Sequence, residues 1–170
     1  ITDATERDIG DYSWASSKRL VFLQDDGGDE NFKLWAVDVD GKNKLGLTNF
    51  PQVRTHLVDK LKDDEEHVII ALNKRDARVF DPHRLNIKTG QLTLIAQNPG
   101  NITDWLTDCD GKLRLAYIND GVRVEIQYRE SEADPFVKIV DTDFRQAFVP
   151  HQFSYDNRHI LVASNFGRDK

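Results

Sequence analysis

Four apolar strands recur along the chain at a nearly fixed interval, each behind a polar turn. Ser16-Ser17-Lys18-Arg19 leads into Leu20-Val21-Phe22-Leu23, and Asp64-Glu65-Glu66-His67 leads into Val68-Ile69-Ile70-Ala71. Asp110-Gly111-Lys112 precedes Leu113-Arg114-Leu115-Ala116-Tyr117, and Asp156-Asn157-Arg158-His159 precedes Ile160-Leu161-Val162-Ala163. With Leu20, Val68, Leu113 and Ile160 as equivalents, the spacings are 48, 45 and 47 residues. A second set keeps the same step. Leu45 and Leu47 lie 47 residues before Leu92 and Leu94, which lie 45 before Val137 and Ile139. The turns Asp40-Gly41-Lys42, Thr89-Gly90-Gln91 and Asp134-Pro135 introduce these strands in phase. Two strand sets sharing one period define a repeat array, in which each unit buries its apolar face on its neighbours.

Each period holds four strand candidates. In the first they are Asp11–Ala15, Arg19–Gln24, Phe32–Asp38 and Lys44–Thr48. The mixed pattern of Phe32-Lys33-Leu34-Trp35-Ala36-Val37-Asp38 suits a strand with neighbours on both edges and both faces. Gly27-Gly28 and Asp40-Gly41 supply the positive φ angles of tight turns. No long segment has a helical apolar period, and β-branched and aromatic residues fill the strands. Four antiparallel strands in about 45 residues make a β-propeller blade. The sequence therefore predicts an all-β chain, a partial β-propeller of three to four four-stranded antiparallel blades. A single partial propeller domain is expected over 1–170, with blades near 9–50, 53–98 and 101–141 and an incomplete one at 146–170. Closed propellers have about 4–8 blades, so such an array leaves sheet edges open and invites self-association.

Composition narrows the function. Lys and Arg number 23 against 29 Asp and Glu, a net charge of −6 that argues against a nucleic-acid surface. Charges interrupt every apolar run, so no membrane span is expected. One cysteine, Cys109, excludes an internal disulfide framework and fits either the cytoplasm or the periplasm. Methionine is absent and the chain opens Ile1-Thr2-Asp3, so it is read as a segment of something longer.

The repeat lacks the signatures of two common propeller classes. Trp14, Trp35 and Trp105 are never followed by Asp, and the Gly-Gly doublet occurs once. Tyr155-Asp156-Asn157-Arg158-His159-Ile160-Leu161-Val162 and Asp110-Gly111-Lys112-Leu113-Arg114-Leu115 instead resemble the turn and strand of Tol-type propellers. The stretch from Leu23 to Asp38, with Gly27-Gly28-Asp29-Glu30-Asn31 at its centre, is similar to bacterial members of the prolyl oligopeptidase family of serine peptidases. Leu47-Thr48, the run from Ala71 to Asp81 with Asn73-Lys74-Arg75-Asp76, Leu85–Gly90, Asn98–Ile102 and Trp105–Asp108 extend that likeness over most of the chain. The resemblance implies a propeller that caps a C-terminal α/β-hydrolase domain and gates access of peptide substrates to it. The parent would then be a serine-type peptidase, with the serine, aspartate and histidine of its triad outside this chain. The alternative is a non-enzymatic Tol-type propeller that binds a protein partner.

The residues offer no catalytic, cofactor-binding or metal site. None of the six serines stands in Gly-x-Ser-x-Gly, the context of a nucleophile elbow. The five histidines lack ligand spacing, and Asp38-Val39-Asp40-Gly41 and Asp108-Cys109-Asp110-Gly111 place glycine where a hairpin turn, not an EF-hand, requires it. Cys109 reads as a small filler beside a turn, and the strand aromatics read as packing between blades. The loops between second and third strands are expected on one face. They carry Asp25, Asp26, Asp29 and Glu30, then Lys74, Arg75, Asp76 and Arg78, then Asn119, Asp120 and Arg123, then Asn165, Arg168 and Asp169. Asp29, Glu30, Arg75, Asp76 and Arg78 are the candidate interdomain or substrate-gating loop residues, set against the plainer reading of solvated hairpin tips.

Overall fold

A computed structural model describes residues 8–143 and 145–166. Among them the chain forms fourteen β-strands and no helix. β1 (Asp11–Trp14), β2 (Arg19–Gln24), β3 (Lys33–Asp38) and β4 (Leu45–Gly46) make one antiparallel sheet in chain order. β5 (Thr55–Asp59), β6 (His67–Asp76), β7 (Val79–Asn86) and β8 (Leu92–Leu94) make a second. β9 (Asp104–Thr107), β10 (Leu113–Asn119), β11 (Arg123–Tyr128) and β12 (Val137–Asp143) make a third, and β13 (Phe148–Phe153) pairs β14 (Ile160–Ser164). These are the blades of a partial propeller. The chain divides into two compact units, one ending at Gln97 and the other beginning at Asn98.

In the first unit, alternation decides which side chains meet. β2 and β3 turn Val21, Leu34 and Ala36 to one side of their sheet, where they join Val68, Ile70, Leu72, Leu85 and Ile87 of the next sheet in one buried cluster. Each such fully buried side chain contributes roughly 1.5–3 kcal/mol relative to an exposed one. Polar groups inside this contact are satisfied. The Leu34 N–H donates to Thr48 Oγ1 at 2.8 Å, and the buried Thr48 and Thr55 hydroxyls meet at 2.7 Å. β4 is shorter than the expected Lys44–Thr48 because the N–H groups of Leu47 and Thr48 both turn to the Leu34 carbonyl.

The turns repeat as closely as the strands. The Asp38 N–H donates to the Lys42 carbonyl, the Gly41 N–H returns to the Asp38 carbonyl, and Gly41 takes a φ of 82°. Asp108 to Lys112 follow the same scheme with Gly111 at 70°. There the Asp108 carboxylate accepts the N–H groups of Asp110 and Lys112 and pairs Arg114 at 3.2 Å, so it builds the turn. Contacts also reach across one period. The Ser17 N–H donates to Glu65, 48 residues on. In the second unit the Cys109 N–H donates to Asn157 Oδ1 at 2.8 Å, and Asn157 Nδ2 donates to Asp110.

The second unit keeps the expected starts of its repeated strands at Leu113, Val137 and Ile160. A bulge between Leu113 and Leu115 breaks the β9–β10 register. Leu115 and Ile126 then pack on Phe153, with Tyr117, Tyr128, Phe148 and Ile160 around them. Trp14 is not packed between blades as its strand position suggested, being 55% exposed; Cys109, beside its turn, is exposed with Sγ against the Ser154 carbonyl at 3.4 Å.

Truncating Ile70, which is fully buried, should cost about 2–5 kcal/mol. Thr48→Val should cost about 1–3 kcal/mol, because it leaves the Leu34 amide and the Thr55 hydroxyl without that partner. Urea unfolding of both variants checks these values, and Thr48→Val at wild-type stability would contradict the second.

Candidate functional site

The candidate residues fall on two structures of the first unit. Asp29 and Glu30 sit in the loop between β2 and β3, which folds around its own carboxylates. Asp25, buried, accepts the Glu30 N–H at 3.3 Å, and Asp26 pairs with the buried Lys33 ammonium. Asp29 accepts both the backbone and side-chain N–H groups of Asn31, at 3.0 and 3.1 Å. Those bonds, the side-chain one foremost, hold the Asp29 carboxyl below the usual aspartate range. Glu30 takes a left-handed φ of 56°, a strained conformation for a side chain of its size.

Arg75, Asp76 and Arg78 share the tip of the β6–β7 hairpin. β6 has ten residues and spans roughly 33 Å, against roughly 20 Å for the six of β2. Arg75 donates from Nε and Nη2 to the two oxygens of Asp81, at 2.8 and 3.0 Å. The Asp81 side chain is 4% exposed, so the fork neutralises a buried carboxylate, and the bond raises the Arg75 pKa. Arg78 grips Asp76 the same way, at 3.1 and 2.9 Å, and its own N–H donates to the same carboxylate. Asp76 is thereby held far below the usual range, the Arg78 side-chain bond being the largest cause. Asn73 of β6 accepts the Arg54 N–H, just before β5, and donates to the Ala77 carbonyl in the hairpin turn.

The structure therefore brings Arg75, Asp76 and Arg78 together and keeps Asp29 and Glu30 in a separate loop. Asp81, the buried partner of Arg75, was not singled out from sequence. Its signal was there, since a tight hairpin turns a carboxylate six residues on back toward the arginine. Lys74 lies in β6 with its ammonium 3.9 Å from the Phe50 ring centre. Asn119 and Arg123 end β10 and begin β11, and Arg168 and Asp169 lie outside the described residues. Glu30 also lines an open cavity of about 380 Å³ with Phe32, Arg54 and His56. A larger groove of about 960 Å³ holds Arg19, Asp38, Glu66 and Lys88, whose charges pair with one another. Among the described residues no cluster of three His, Cys, Asp or Glu could hold a metal ion, and no helix is long and apolar enough to cross a membrane.

The Asp76–Arg78 pair makes a prediction about acid. A depressed carboxyl pKa gives stability that is present above the ordinary aspartate range and lost as pH falls through the folded value. Asp76 should therefore stay ionised in acid that half-protonates an ordinary aspartate. Arg78→Ala should move its titration, followed by carbon-13 NMR, up toward the ordinary range, and Arg75→Ala should move it less. An unmoved titration in Arg78→Ala would contradict this assignment.

No protein-family model matches the chain. Dipeptidyl aminopeptidase BIII of Pseudoxanthomonas mexicana is 31% identical over 117 residues, which cover 68% of this chain and 17% of that enzyme. The chain thus spans less than a fifth of the length of that relative. Prolyl oligopeptidase B from Galerina marginata, solved with a 25mer macrocyclization substrate, superposes with a TM-score of 0.58 at 12% identity. The match covers 85% of this chain and 20% of that one. TolB from Acinetobacter baumannii superposes with a TM-score of 0.53 at 11% identity, over 86% of this chain and 40% of that one. The two solved structures show the fold and the 31%-identical relative shows the descent: the chain belongs with the β-propellers of the prolyl oligopeptidase family.

Proposed function

We propose that this chain is the N-terminal propeller portion of a serine peptidase and gates peptide access to a C-terminal α/β-hydrolase domain. The observation that carries the reading is the 31% identity to a dipeptidyl aminopeptidase across two thirds of the chain. In this reading one propeller domain runs through residues 1–170. The chain binds and positions, while acyl-enzyme chemistry belongs to a nucleophile elsewhere in the parent.

The β6–β7 hairpin is the proposed contact. Its arginine and carboxylate pairs fix a long ladder in one conformation, so the tip can meet a domain or a peptide without first being ordered. Arg78 presents its guanidinium to solvent with 86% of its side chain exposed, while Arg75 is anchored on the buried Asp81. The Asp29–Glu30 loop, stiffened by its own hydrogen bonds, is the second proposed element. A Tol-type scaffold that binds a protein partner would use the same rigid tips, and TolB has the same fold.

In the full-length parent, Arg78→Ala should lower kcat/KM for peptides, or weaken association of propeller and hydrolase domains, by about fivefold, the worth of a contact of ~1 kcal/mol. Unchanged kinetics together with unchanged domain association would sink the gating role. A gene without a downstream Gly-x-Ser-x-Gly would favour the scaffold.

A further inference from the structure

Arg19, Arg75, Arg78, Arg114 and Arg123 each pair with an aspartate. Arg54 does not. Its backbone N–H is held by Asn73, but among the described residues its guanidinium has neither an ion pair nor a hydrogen bond. The Glu30 carboxylate has no partner among them either. Both residues line the open cavity of about 380 Å³, together with Asp11 at the start of β1. Opposite charges that share a cavity without meeting leave their hydrogen-bonding capacity to whatever enters it.

Leu23, Phe32 and Leu57 give this cavity an apolar wall. The backbone around it is already fixed. The Gly10 N–H donates to the Leu23 carbonyl at 2.9 Å and the Thr55 N–H to the Phe32 carbonyl at 2.8 Å. Arg54 is tied to Asn73 Oδ1 at 2.6 Å. The Phe32 ring lies on Gly10, where a Cβ would stand 2.6 Å from it. Glu30 holds its left-handed φ of 56°, a strain of the kind that collects at ligand clamps. A site set in this way spends little binding energy on ordering itself.

We propose that the cavity binds a small zwitterion with an apolar side chain, either a free amino acid or a dipeptide. Its carboxylate goes to Arg54, its ammonium to Glu30 and Asp11, and its side chain to the Phe32 wall. A guanidinium presents a fork of donors that matches a carboxylate, and an ammonium has three donors for two carboxylates to accept. The site stands on this chain's own residues and does not depend on the peptidase reading.

Equilibrium dialysis of L-phenylalanine and of the dipeptide Ala-Phe against the full-length protein tests the proposal, and the tighter of the two identifies the source. At least one should bind saturably. Acetylating its amine or amidating its carboxylate should each weaken binding about tenfold, the worth of one hydrogen bond to a charged group. These changes to the ligand leave the protein fold untouched. Arg54→Gln should weaken the unmodified compound about as much as amidation does, and should leave the amide's binding unchanged. Glu30→Gln should shrink the penalty for acetylation and keep that for amidation. Loss of folding would weaken all forms together and cannot produce this split. The proposal is overturned if neither compound binds, or if binding is indifferent to acetylation, to amidation or to Arg54→Gln. A protein that binds the compound and cuts no peptide keeps this site while losing the peptidase reading.

Discussion

Burial of one sheet face against the next is the interaction on which the rest of the structure depends. A four-stranded sheet of this size has no interior of its own, so Val21, Leu34 and Ala36 become core only because Val68, Ile70 and Leu85 stand opposite. That demand fixes register, since a slip of one residue would turn these side chains out and bring Phe22 and Trp35 in. The polar groups follow from it. Thr48 and Thr55 must find each other where the sheets meet, and Arg19 reaches from the first turn to the Ile87 carbonyl of the second sheet at 3.1 Å.

With the core settled by apolar stacking, charge is left to shape the turns. Asp108 supports the bend before β10, and Asp26, Asp29 and Asp25 support the loop before β3. Arg75 and Arg78 brace the β6–β7 tip. Paired charges of this kind contribute little to stability where water reaches them. They lower the number of conformations a loop can adopt, which is what a projecting recognition element requires.

The strands are legible because alternation and turn residues agree locally: β2 matches its expected Arg19–Gln24, and β1 and β3 differ from their expected limits by one residue. The register of the β9–β10 pair is not legible. The bulge between Leu113 and Leu115 is a decision of backbone hydrogen bonding, and Arg114 between two leucines reads as ordinary alternation. Its guanidinium is buried against Asp108 and the Arg129 carbonyl, which no pattern of apolar residues announces. At the candidate site the exposed charges could be read, but their pairing could not. Whether Arg75 faces solvent or Asp81 depends on the hairpin's turn, and the exposure of Trp14 depends on what stands next to its sheet.

The hydrogen bonds from Ser17 to Glu65 and between Asp110 and Asn157 span 48 and 47 residues. A link that reaches one repeat and no further sets the distance over which the chain must search to form it. Loop-closure entropy is then fixed by the period and does not grow as blades are added. An array held this way can begin ordering at any adjacent pair of blades and spread outward, and its folding time follows the length of one repeat more than the length of the protein.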